Sequence, residues 1–236
     1  MSTPRTLTPR RIPLPKLFRS RPHPRRSFIT LPDTNKPQHL TAARRLPYDR
    51  ARLYDLIADV DSYVRFLPYC KVSRVTAWTS SPPDADGQSR RWPARADLTA
   101  GWGGFEETYT SRVFCVPSLG VVEAISGDAA TEIPAADLRR HGLSDPGPGV
   151  GDGGGGGVFK SLVTRWTVEP ATRADGSRQH DWSDVRLSIR YQFANPLYAA
   201  VSSAVADKVA PVMIEAFVEQ ARRVLGDTGK DAETLR

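Results

Sequence analysis

The side chains that most often carry out chemistry are few in this sequence and poorly placed for it. Its 236 residues include four histidines and two cysteines. His23, His39, His141 and His180 all fall outside the stretches whose pattern suggests a rigid core strand, so none is held as a general base. Without one, a Ser–His or Cys–His nucleophile pair has little support. Cys70 and Cys115 are too few for a disulfide framework or a four-ligand zinc site, and they read as small core residues. No Cys or His pair has ligand spacing and the acidic residues are scattered, so no metal or cofactor is expected. Glu106-Glu107 are strand neighbours that face opposite ways; an inward one would be a hydrogen-bonded structural group or a polar anchor for a ligand. The run Gly153–Gly157 lacks the Gly-Lys-Ser/Thr ending and the strand-to-helix setting of a phosphate-binding loop.

What remains is apolar and aromatic. Phe66-Leu67-Pro68-Tyr69 follows a short helical stretch, Trp102 and Phe105 flank a glycine-rich bend, and Trp166 sits between Leu162 and Val168. Such residues either fill a core or line a hollow.

The surrounding elements can be read from periodicity. Leu40–Leu46 is expected as a strand. Asp49 then caps a helix in which Leu53, Leu56, Ile57 and Val60 recur at helical spacing. A second short helix over Asp61–Phe66 ends at Pro68. Strands are expected at Lys71–Trp78, Arg91–Trp102, Phe105–Val116, Gly120–Ser126, Val158–Glu169 and Asp184–Ala194. In the last of these Val185, Leu187, Ile189, Tyr191 and Phe193 alternate strictly with polar residues, giving one apolar face. Gly101, Gly103 and Gly104 suggest a bulged, sharply bent hairpin. Asn195-Pro196 opens a helix of about thirty residues, ~45 Å long, that ends at Gly226. Its apolar stripe includes Leu197, Val201, Val205, Val209, Val212 and Phe217, and Pro211 should kink it. The segment 133–157, with Pro134, Pro146, Pro148 and its glycine run, is expected to be a flexible insertion, and 227–236 a polar tail.

The net charge of +7 belongs to the leader. Residues 1–32 hold seven arginines and Lys16 with no acidic residue, and setting those eight aside leaves 25 basic against 26 acidic groups, a net of −1. A near-neutral body argues against nucleic-acid binding, which needs a basic face on the folded domain. Residues 1–37 resemble a mitochondrial presequence: Arg-rich, acid-free, rich in Ser and Thr, and ending in Arg25-Arg26-Ser27-Phe28-Ile29-Thr30. Seven prolines between Pro4 and Pro32 preclude a long helix there. The domain proper is expected over 38–226, and both cysteines should stay reduced in the matrix.

A strand, two short helices, an antiparallel sheet and a long final helix make the helix-grip layout of the START and polyketide-cyclase superfamily, an α+β fold with an apolar cavity between sheet and helix. Within it the sequence resembles the mitochondrial coenzyme Q-binding proteins of fungal type. The resemblance lies in Leu53–Cys70 (LYDLIADVDSYVRFLPYC), Leu98–Val113 (LTAGWGGFEETYTSRV), Phe159–Trp166 (FKSLVTRW) and Ser188–Ala199 (SIRYQFANPLYA). It implies a non-enzymatic protein that binds ubiquinone through its polyisoprenoid tail. It further implies a carrier or chaperone, peripheral on the matrix side of the inner membrane, that supports respiration and ubiquinone synthesis and works with their complexes. The wall residues it implies are Phe66, Leu67, Pro68, Leu98, Trp102, Phe105, Trp166, Tyr191, Phe193 and Leu197; helical periodicity adds Val201, Val205 and Val209. Two other readings are a cyclase or aromatase, which needs a polar group such as Glu107, Tyr109 or Arg165 in the cavity, and a ribosome-associated module.

Overall fold

The strictly alternating strand β7 (Arg178–Phe193) lies well inside the sheet. It pairs antiparallel with β1 (Gln38–Leu46), from Gln38 opposite Tyr191 to Leu46 opposite Ser183. On its other side lies β6 (Phe159–Thr172), with Leu162, Thr164, Trp166 and Val168 opposite Tyr191, Ile189, Leu187 and Val185. The computed structural model describes residues 37–79, 90–102, 105–145, 147, 159–172, 178–194 and 196–235. At 102, 105, 178, 180 and 196–207 only the backbone is described. All of these residues belong to the unit Leu31–Arg236.

The remaining strands are β2 (Cys70–Trp78), β3 (Pro93–Trp102), β4 (Phe105–Val116), β5 (Val121–Gly127) and β8 (Glu233–Thr234). The sheet runs β2-β3-β4-β5-β6-β7-β1-β8, antiparallel throughout. This is the open antiparallel sheet with a long C-terminal helix that the sequence implied. Two local expectations change. The β3–β4 hairpin keeps one register from Arg95 opposite Arg112 to Trp102 opposite Phe105, without the expected bulge, and the register shifts occur between β2 and β3 and between β6 and β7. The polar tail also joins the sheet, because β8 pairs with Arg44 and Arg45.

Helix α1 (Arg50–Ala58) starts where the Asp49 carboxylate accepts from the amides of Ala51 and Arg52, at 2.8 and 3.4 Å. Its buried Leu53, Tyr54, Leu56 and Ile57 face the sheet. Arg50, at its first turn, donates to the carbonyls of Val168, Pro117 and Ser118 at 3.0, 2.7 and 3.1 Å. The β4–β5 turn fits beneath it only because residue 120 has no side chain. Gly120 sits at φ +68°, and an added Cβ would lie 2.1 Å from the Val168 carbonyl oxygen.

Helix α3 (Pro196–Leu225) packs on β1 and β7. Its C-terminal half buries Ala210, Ile214, Phe217, Val218 and Ala221. Phe217 meets Trp166 of β6 with ring centroids 5.2 Å apart. Pro211 has no N–H to donate to the Asp207 carbonyl, so one helical bond is missing there. Gly226 at φ +89° ends the helix as expected, and its carbonyl accepts from the Tyr48 hydroxyl at 2.9 Å.

The segment expected to be flexible is ordered over its described half, which is a correction. Helix α2 (Ala135–Arg140) follows Ile133, and Ile133 and Leu138 are both buried on the outer face of the sheet against Phe114, Val116, Val121, Ile125 and Val163. Two apolar residues five apart show no periodicity, yet they are enough when a ready-made apolar patch awaits them. Beside them Glu123, fully buried, accepts from Arg165 at 2.5 Å and from Thr131. Arg112 pairs with Asp145 and donates to the carbonyls of Ala129 and Gly147. The glycine run itself and the expected presequence lie outside the described residues.

Replacing Gly120 with Ala should cost about 2–4 kcal/mol, from the left-handed backbone and the clash with Val168 together. Urea unfolding measures this, and a loss under about 0.5 kcal/mol would contradict the account of the turn.

Candidate functional site

The inner face of the sheet and α3 do not meet everywhere. Beyond the Trp166–Phe217 contact, toward the N-terminal half of the helix, they enclose a cavity of about 170 Å³. The sheet contributes Leu40, Leu98, Ala100, Tyr109, Phe159, Leu162, Thr164, Ile189, Tyr191 and Phe193, the helix Val209 and Met213, and the turn before β2 Leu67, Pro68, Tyr69 and Cys70. None of these sixteen residues carries a charge. A smaller hollow of about 70 Å³ continues toward Val60, Tyr63, Val122 and Trp166. Leu67, Leu98, Tyr109, Leu162, Thr164 and Met213 border both spaces.

Strand alternation explains most of this wall. Leu162, Thr164 and Trp166 share one side of β6, Ile189, Tyr191 and Phe193 one side of β7, and Leu98 lies opposite Tyr109 across β3 and β4. Phe159 ends the row of rings: it stacks on Phe193 at 5.1 Å and meets Tyr109 and Tyr191 edge-on at 5.7 and 6.4 Å. Tyr69, at the rim, is 43% exposed and has φ +66°, a conformation rare outside glycine. Its carbonyl accepts from Gly101 at 2.9 Å, which ties the turn to β3.

Of the residues expected at the wall, Leu67, Pro68, Leu98, Tyr191, Phe193 and Val209 line the larger space and Trp166 the smaller. Phe66 instead packs edge-on against Tyr63, ring centroids 5.8 Å apart. The side chains of Trp102, Phe105, Leu197, Val201 and Val205 lie outside the described residues. Sequence reasoning missed Leu40, Ala100, Phe159, Thr164, Ile189 and Met213 as wall, and named Tyr109 only as a polar group that a cyclase would need in the cavity. Ile189 was within reach, being in phase with Tyr191; Thr164 was disguised by its polarity.

Of the polar groups that a cyclase would need, Tyr109 lies in the wall and the other two do not. Arg165 faces the outer side with Glu123, and Glu106 pairs with Lys71 at 2.5 Å on the surface. Glu107 lies opposite Ala100, in phase with Tyr109, but is not among the wall residues. His39 bonds Ser188 at 2.9 Å and His141 bonds Ser118 at 2.8 Å, both away from the cavity. Cys115 is buried in the core as expected, whereas Cys70 is half-buried on the cavity wall. Among the described residues no group of His, Cys, Asp and Glu could hold a metal ion, and no helix is long and apolar enough to cross a membrane.

A hollow with an uncharged described lining, between an antiparallel sheet and a C-terminal helix, leads to the family of the chain. The chain belongs to the polyketide cyclase / dehydrase and lipid transport family, whose model matches residues 46–132 and 155–218. More narrowly, it belongs with the mitochondrial coenzyme Q-binding proteins. It is 30% identical over 181 residues to coenzyme Q-binding protein coq10, mitochondrial, of Schizosaccharomyces pombe, covering 77% of this chain and 85% of the relative. It is also 24% identical over 188 residues to the ribosome association toxin RatA of Pseudomonas aeruginosa, covering 80% of this chain and 98% of the relative. Among solved structures, the Zhui aromatase/cyclase from Streptomyces sp. R1128 shares the fold, with a TM-score of 0.52 at 13% identity, covering 83% of this chain and all of that one.

Burial makes the core sensitive to alkali. It pushes Cys115 up from 9.0 to about 12, and it raises Tyr54, Tyr63 and Tyr109 well above their ordinary 10.0. The folded groups keep their protons while the unfolded ones lose them. Stability is therefore full below pH 9 and falls as pH rises, by about 1.4 kcal/mol per unit for each group once past its unfolded pKa. Urea midpoints measured from pH 8 to 11 should drop with increasing slope; a flat profile would contradict the burial of these groups.

Proposed function

We propose that the protein binds ubiquinone in this cavity and acts as its carrier or chaperone, supporting respiratory electron transport and ubiquinone synthesis. One observation carries the reading: there is an open space between sheet and helix, and its described lining is apolar and uncharged. Each buried CH₂ contributes about 0.8 kcal/mol, so a five-carbon isoprene unit contributes on the order of 3–4 kcal/mol before ordering costs. An apolar wall thus suffices to hold a prenyl chain, with no charged clamp. The reading is supported by a curated relative named for binding coenzyme Q.

The ligand reaches and leaves the cavity at its rim. Tyr69 is exposed there; Val64 and Val72 on the flanking elements are exposed too, with Arg65 next to Val64, while Lys71 and Arg74 are paired with Glu106 and Asp97. Apolar side chains beside cations suit the surface of an anionic bilayer, so the protein works as a peripheral protein of the inner membrane. The acid-free, Arg-rich leader supports the matrix side. The turn carrying Phe66–Tyr69 and the Pro211 break in α3 are the points at which the wall gives way for entry.

Val209→Trp, which fills the cavity from the helix, and Leu67→Ser, which makes its wall polar, should each lower co-purified ubiquinone about tenfold or more while the domain stays folded. Mass spectrometry of extracted lipid, beside circular dichroism, checks this. Wild-type lipid content in both folded variants would overturn the placement of the ligand.

A further inference from the structure

Two hydroxyls of the described wall stand open to the cavity. Tyr109 and Thr164 border both the larger and the smaller space, and among the described residues neither hydroxyl has a hydrogen-bond partner. The hydroxyls around them are satisfied: Ser111 pairs with Ser126 at 2.8 Å, Tyr63 donates to the Ile57 carbonyl at 2.5 Å, and Tyr54 to the Val121 carbonyl at 3.2 Å. Neither hydroxyl is sealed off from the space it borders, so both stand ready for an acceptor that a ligand brings into the cavity.

Resting on the ubiquinone reading, we infer that the Tyr109 and Thr164 hydroxyls form the subsite for the quinone ring's carbonyl oxygens, so that the head enters first and the prenyl tail trails out past Tyr69. A hydrocarbon chain offers no acceptor. Laid across this junction it would strip both hydroxyls of water and return nothing, which places the tail elsewhere. Room gives the same order. A space of 170 Å³ holds on the order of ten water-sized spheres, enough for a substituted ring and the first stretch of tail but not for a long polyprenyl chain. The junction adjoins the deeper hollow beside the buried Trp166, whereas the exposed Tyr69 borders only the larger space. Burial holds Tyr109 well above the ordinary tyrosine range, so it remains a neutral donor at physiological pH.

The test compares a short-tailed ubiquinone with a prenyl hydrocarbon of the same tail length, bound to wild-type protein, Tyr109→Phe and Thr164→Val, by calorimetry. Both substitutions keep the shape of the side chain and remove only the hydroxyl. Each should weaken the quinone about tenfold and leave the hydrocarbon unchanged. Matching near-ultraviolet circular dichroism confirms the fold, and either folded variant carries the test alone. Quinone affinity unchanged in the variants, or both ligands weakened equally, overturns the head-group subsite and leaves the cavity reading standing. Wild-type protein that binds neither ligand overturns both.

Discussion

The contact between Trp166 and Phe217 sets the spacing on which everything else depends. It is the point at which the long helix is pinned to the sheet, ring against ring at 5.2 Å. On one side of it, Val218 and Ala221 are fully packed and α1 closes the space. On the other, Val209 and Met213 look across a gap at Leu40, Ile189 and Tyr191. Two large rings hold the backbones apart, and the smaller side chains beyond them do not reach across. A hollow follows from that mismatch, as close packing fails wherever facing volumes do not match.

The two faces of the sheet divide the work. Inward, β6 presents Leu162, Thr164 and Trp166; outward, the same strand presents Val163 and Arg165. The outer side is closed by its own chain, with Ile133 and Leu138 over the apolar patch and the Glu123–Arg165 pair beside it. A carboxylate with no exposure is tolerated because Arg165 and Thr131 both donate to it. The described part of the insertion therefore adds a second small core on the face away from the cavity.

The fold was legible because its signals are local. The alternation in β7, the Asp49 cap, and the stripe from Val209 to Phe217 each need only neighbours in sequence. The site was legible in part. Leu67, Leu98, Tyr191 and Phe193 could be named as apolar residues in the right elements, but whether they filled a core or walled a space depended on how far α3 stands from the sheet. Thr164 was hidden more deeply, since its place on the wall depends on β6 pairing with both β5 and β7, which no single stretch of sequence encodes. The same non-locality hid the docking of Ile133 and Leu138, whose patch comes from three strands.

The strand at the open margin, β2, slips register against β3 at three places and turns Lys71 and Arg74 outward. At the other margin the two-residue β8 covers part of β1. An eight-stranded ribbon with two long, flat, regular borders would invite other copies to zip on and grow into fibrils. Here one border is irregular and charged and the other is shortened by β8, so neither offers another copy a long, flat edge to pair with.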